Sequence, residues 1–193
     1  SPLSLYAHAK VKAERHLLSK KGQVDYCPTV LRFATAFGLS PRMRFDLTIS
    51  EFTKEIASGK ELLVYDPDTW RPYCHVSDFA ALINMTLCKD ADTVAFQVFN
   101  AGSDENNATK RHIVEKILKF CPDAKVKYQE HGSDPRNYRV SFEKVSSILG
   151  FKPQKTIQDG ILELLNAIEN RVFDTEGWKD NEYGNHSLAH KNG

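Results

Sequence analysis

Along this chain the spacing of apolar and polar positions switches between helical and strand-like periods, and each switch marks an element. Leu3, Leu5, Ala9, Ala13, Leu17 and Leu18 recur at helical spacing among Lys, Glu and Arg, predicting a helix over residues 4–21 that Lys21-Gly22 ends. The run "YCPTVLRFATAFG", closed by Gly38, is apolar enough throughout to predict a buried parallel strand. "LSPRMRFD" reads as a basic loop, and 46–58 as a second amphipathic helix stopped at Gly59. "ELLVY" and "RPYCHV" predict two short strands around the turn-prone "DPDTW". Ser77 is placed to cap a helix running to Cys88, and "AFQVFNAG" predicts a strand and turn. Thr109 caps a helix through Phe120 that Cys121-Pro122 stops, and "KVKYQ" follows as a strand. "VSFEKVSSILGF" predicts a short helix with Gly150 at its end, and Thr156-x-x-Asp159 a capping-box start to a helix reaching Arg171. Residues 174–193 are polar without period, a loosely attached tail. Strands alternating with helices make this an α/β chain. Residues 1–100 are expected to complete a doubly wound parallel sheet, and 101–173 to form a smaller lobe.

Composition narrows the partners. With 26 basic against 25 acidic residues the net charge is +1, so no global field draws the chain to nucleic acid or to anionic lipid. Anion recognition must come from individual arginines. Cys27, Cys74, Cys88 and Cys121 have no zinc-knuckle spacing and are too sparse for a disulfide framework, which points to reduced thiols and a cytoplasmic, soluble protein. No apolar run nears the roughly 18 residues of a membrane span, and no secretory signal opens the chain. No metal site is expected, and His75 reads as a hydrogen-bonded strand residue.

Tyr6 and Lys10 lie at i and i+4, on one helix face about 6 Å apart. An ammonium beside a phenol favours the phenolate, so the pair can serve as a proton acceptor. Alone, the same spacing also describes a surface tyrosine packed on a lysine stem. Arginines at 71 and 136 offer guanidinium forks for phosphate oxygens. Ion pairs with Asp78 and Asp134 are the competing reading.

"SLYAHAKVKAE", "VLRFATAFG", "ELLVYDPDTWRPYCHVSDFAALI" and "DPRNYRVSFEKVSSILGFKPQKTIQDGI", in that order, resemble the extended short-chain dehydrogenase/reductase family. The similarity spans about residues 1–170 and is closest to its nucleotide-sugar epimerases and dehydratases, the UDP-glucose 4-epimerases among them. It implies the C-terminal part of a Rossmann-like doubly wound parallel sheet plus a mixed α/β substrate-binding lobe. It also implies NAD as cofactor, a nucleoside-diphosphate sugar as substrate, and a homodimer. On the matching positions, Tyr6 would be the catalytic base and Lys10 would hold the nicotinamide ribose. Phe33 would lie near the cofactor, and Thr35 near both cofactor and substrate, where many relatives carry Asn. Tyr65 would belong to the strand that sandwiches the base. Arg71 and Arg136 would grip the diphosphate, and Arg44 would sit on a substrate-facing loop.

The resemblance further implies a glycine-rich pyrophosphate turn and a catalytic Ser or Thr ahead of the Tyr6 helix. The closest pair among the ten glycines is Gly177 and Gly184, so the turn is not in this sequence. The expectation is a longer parent enzyme, an epimerase working through a keto-sugar, with these 193 residues inactive by themselves. A dehydratase or reductase of the same family, or a non-catalytic nucleotide-sugar-binding module, are the alternatives.

Overall fold

The computed structural model describes residues 4–130, 132 and 137–173; Leu3, Arg136 and the 174–193 tail lie outside them. Helix α1, Leu5–Ser19, opens on Ser4, whose side chain accepts from the Ala7 N–H at 3.2 Å, and it buries none of its residues. The apolar run that predicts one strand forms two, β1 (Val30–Phe33) and β2 (Thr35–Phe37). At Ala34 the chain changes partner: its N–H donates to Ala101 O at 3.0 Å, and the following residues pair elsewhere. Then come α2 (Thr48–Ala57), β3 (Leu62–Tyr65), β4 (Trp70–His75), α3 (Val76–Leu87), the single turn α4 (Ala91–Val94) and β5 (Val98–Ala101). The chain ends with β6 (Asn107–Thr109), α5 (Lys110–Leu118), β7 (Val126–Gln129), α6 (Glu143–Leu149) and α7 (Ile157–Glu169).

The α/β class expected from the pattern is the class observed. β1 pairs in parallel with β5, β2 with β4, and β3 with β7; β6 adds to β4 in antiparallel. Thr109 and Thr156 both close capping boxes, with His112 and Asp159 respectively. Gly150 ends α6 in the left-handed region at φ +74°. The cap of α3 is a correction. His75, not Ser77, precedes the first turn, and its ring accepts from the Ser77 N–H at 3.2 Å. No helix among the described residues is long and apolar enough to cross a membrane.

One core gathers Phe37, Ile49, Phe52, Val64, Ile113 and Ile161, so α2, β3, α5 and α7 close over the strands from both sides of residue 100. A second packs Leu82 and Phe99 against Phe142, Val145 and Leu149 of the α6 segment. Each fully buried aliphatic side chain contributes about 1.5–3 kcal/mol.

The start of α3 is tied to the α6–α7 connection by one buried carboxylate. Asp78 is 3% exposed, and its oxygens accept from the Gln154 N–H at 2.9 Å and the Lys155 N–H at 3.1 Å. The N-terminal turn of α3 also favours that negative charge. Asp78→Asn is expected to destabilise the fold by about 1–3 kcal/mol, because an amide NH₂ then faces a backbone donor. The drop should appear as a lower urea midpoint with an unchanged slope.

Candidate functional site

Tyr6 and Lys10 face a groove of about 390 Å³ between α1 and β1, whose far wall includes Phe33. The Lys10 ammonium lies 5.3 Å from the Tyr6 ring centroid, and the phenol is 72% exposed. Phe33, half-exposed at the end of β1, leans on Phe79 with ring centroids 4.5 Å apart at 60°. The groove therefore combines a phenol, an ammonium and an apolar ring. The helix is held in this orientation by a contact that sequence reading passed over. Glu14 lies one turn beyond Lys10, and the Arg32 fork on β1 grips it, with Nε donating to Oε2 at 2.8 Å. That hydrogen bond holds the Glu14 carboxyl below its ordinary range. The two residues are 18 apart in sequence, and no local pattern links them.

A second polar cluster forms where β4 passes the start of α2. Thr35 stands opposite Tyr73 in the β2–β4 register. Tyr73 is 1% exposed, and its hydroxyl makes no hydrogen bond among the described residues. Burial pushes its pKa up to about 12, against smaller opposing influences of the Thr48 side chain and the Arg71 guanidinium. Tyr73 is thus a neutral hydroxyl with hydrogen-bonding capacity unspent. Thr48 begins α2, and the preceding Leu47 supplies no side-chain cap to the first-turn N–H groups. Those groups and the helix dipole favour an anion. The Arg71 guanidinium donates to Trp70 O at 2.8 Å and lies 5.5 Å from the Tyr138 ring centroid. Asp78, its suggested ion-pair partner, spends its oxygens on Gln154 and Lys155. Tyr73 carries no signal in the sequence, since an orphaned hydroxyl inside an apolar strand has no pattern of its own, and Tyr138 lies in an irregular segment.

The Tyr6 groove borders a further space at Phe33. A cavity of about 470 Å³ on its other side is lined by Arg32, Phe33, Pro72, Asn100, Tyr138 and Arg139 among others, so the Tyr6 groove and this cavity share Arg32 and Phe33. Thr35, Arg44, Tyr65 and Arg71 line neither space. Arg44 holds Asp46 in a two-point contact at 2.6 Å, and the carbonyl of Tyr65, half-exposed at the end of β3, accepts from Lys110 Nζ at 2.7 Å. Arg136 falls outside the described residues; beyond it, the Asn137 side chain accepts from the Trp70 N–H at 2.9 Å. His75 is buried with both ring nitrogens engaged, by Ser77 Oγ at 2.7 Å and Glu163 at 2.8 Å. No cluster of His, Cys, Asp and Glu suited to a metal ion occurs among the described residues.

Comparison with known proteins converges on one group. Residues 1–102 match the family described as the NAD dependent epimerase/dehydratase family. An uncharacterized protein of Methanocaldococcus jannaschii is 30% identical over 181 residues, covering 88% of this chain and 52% of that protein. UDP-glucuronic acid decarboxylase 6 of Arabidopsis thaliana is 26% identical over 162 residues, covering 82% and 46%. Among solved structures, the dTDP-glucose 4,6-dehydratase of Bacillus anthracis in complex with NAD superposes with a TM-score of 0.76 at 25% identity, covering 93% of this chain and 56% of that one. The chain spans about half the length of the curated relatives it matches.

Proposed function

The chain belongs to the NAD dependent epimerase/dehydratase family, and from that premise we propose that it carries the proton-transfer and substrate-gripping part of an NAD-dependent enzyme acting on a nucleoside-diphosphate sugar. The supporting observation is that the Tyr6–Lys10 groove and the cavity bordered by Tyr138 share Phe33. A sugar beside Phe33 is then within reach of Tyr6, while its diphosphate extends toward Arg71 and Tyr73.

The residues fit the nicotinamide end of NAD: the exposed Phe33 ring offers an apolar face, and Lys10 and Tyr6 offer donors to ribose hydroxyls. NAD, when bound, supplies the hydride acceptor and donor. Tyr6 Oη takes the proton of the reacting sugar hydroxyl, and the Lys10 ammonium beside the ring favours the phenolate. In this reading Thr35 lies near the sugar, and Tyr65 and Arg44 toward the nucleotide end. Arg71, with Arg136 as its counterpart, opposes the diphosphate, and the unspent Tyr73 hydroxyl together with the α2 N-terminus completes that grip. The net reaction is epimerisation through a keto-sugar, in a homodimer.

Product masses test the reading. The complete gene product is incubated with NAD and candidate nucleotide sugars, and the products are resolved by mass and by sugar configuration. Epimerisation changes configuration without changing mass. Loss of water would replace it with a dehydratase, loss of carbon dioxide with a decarboxylase, and no turnover of any nucleotide sugar would reject the enzymatic reading.

A further inference from the structure

The cavity beyond Phe33 has a charge character that epimerisation of a neutral hexose does not use. Its lining contains two guanidinium groups, Arg32 and Arg139, and no carboxylate among the described residues. The Arg32 charge is answered by Glu14. Arg139 forms no ion pair or hydrogen bond among the described residues; its guanidinium lies over the Trp70 ring, 4.6 Å from the centroid. Trp70 is itself edge-on to His112 with centroids 5.4 Å apart, and its backbone N–H donates to the Asn137 side chain. Asp104, in the adjoining cavity that Arg139 also lines, accepts from the Phe142 N–H at 3.3 Å and makes no ion pair with the arginine.

A guanidinium held over an indole ring by a cation–π contact keeps N–H donors for a bidentate acceptor. With no carboxylate in the cavity and no ion pair of its own among the described residues, it favours an anion. The diphosphate is a poor candidate for that anion, because Arg71, Tyr73 and the α2 N-terminus already provide for it. The charge that remains to be matched is on the sugar.

We propose that the site takes a nucleoside-diphosphate sugar whose hexose carries a carboxylate, a uronic acid, with Arg139 as the counter-ion of that carboxylate. The proposal rests on the nucleotide-sugar reading above. Arg139 stands at an exposed position, so its charge-assisted hydrogen bonds translate into a preference of about tenfold rather than the upper range for such bonds.

Binding titrations on the complete gene product test it. UDP, dTDP, GDP and CDP are first compared, and the tightest selects the pair of sugars: its glucuronate and its glucose conjugate. The glucuronate should bind about tenfold more tightly than the glucose conjugate. Arg139→Met should abolish that difference while leaving the affinity for the bare nucleoside diphosphate unchanged; Arg139→Lys, keeping the charge without the fork, should retain part of it. Equal affinities in the unaltered protein would overturn the proposal and leave the functional reading standing. So would an Arg139→Met variant that weakens the bare diphosphate as much as the glucuronate, which would assign the arginine to phosphate. Should Arg139→Met fail to fold, Arg139→Lys and the unaltered preference decide. Failure of every nucleoside diphosphate to bind would reject the functional reading itself.

Discussion

Gly38→Ala is expected to cost about 2–5 kcal/mol of stability, enough to unfold a marginal domain. Gly38 sits at φ +98°, and a Cβ built there would lie 2.0 Å from His75 Nε2 and 2.3 Å from His75 Cδ2. The backbone strain alone accounts for about 1–2 kcal/mol, and forcing an extra methyl into a packed site for about 1–3. The histidine cannot easily yield. It is 3% exposed, bonded to Ser77 at 2.7 Å and Glu163 at 2.8 Å, and edge-packed on Phe37 with centroids 5.3 Å apart. Moving the ring would also release the cap it gives to α3. Gly22→Ala is the control: it shares a positive φ, +76°, but its added methyl meets nothing within 4 Å. Denaturation midpoints of the two variants separate strain from collision. If Gly38→Ala proves no less stable than Gly22→Ala, the crowding at His75 does not exist.

That pair also shows where the sequence is transparent and where it is not. Chemistry acting over three or four residues was readable: the Thr109 and Thr156 capping boxes, Gly150 behind α6, and the Tyr6–Lys10 spacing on one helix face. Contacts across the chain were not. The change of partner at Ala34 is invisible in a continuous apolar run, because it depends on β5 and β4 lying on either side of the joint. Ser77 is the better capping residue by local chemistry, yet His75 takes the position because Glu163, 88 residues away, anchors its other nitrogen. The same holds within the candidate site. Tyr6, Lys10 and Phe33 were readable through spacing and resemblance, whereas the Arg32–Glu14 lock, the orphaned Tyr73 hydroxyl and the Trp70–Arg139 contact arise only when distant segments meet.

Tyr6→Phe should lower kcat by about 10²–10⁴-fold, the range by which a positioned acid–base group accelerates proton transfer. Loss of so small a group can be assigned to chemistry here because the fold does not depend on it. Tyr6 is 72% exposed on a helix with no buried residues, and the Lys10 ammonium over its ring is a contact that phenylalanine also offers. The melting temperature and the affinity for nucleotide sugar should therefore stay near those of the unaltered protein while turnover collapses. Arg32→Met supplies the contrast. It removes the fork that orients α1 and leaves the phenol in place, so it should depress turnover less and unsettle the helix more, visibly in hydrogen exchange of the α1 amides. A Tyr6→Phe enzyme that still turns over at an ordinary rate would remove the phenol from the mechanism, and the groove beside Phe33 would then be a binding surface whose proton acceptor lies elsewhere.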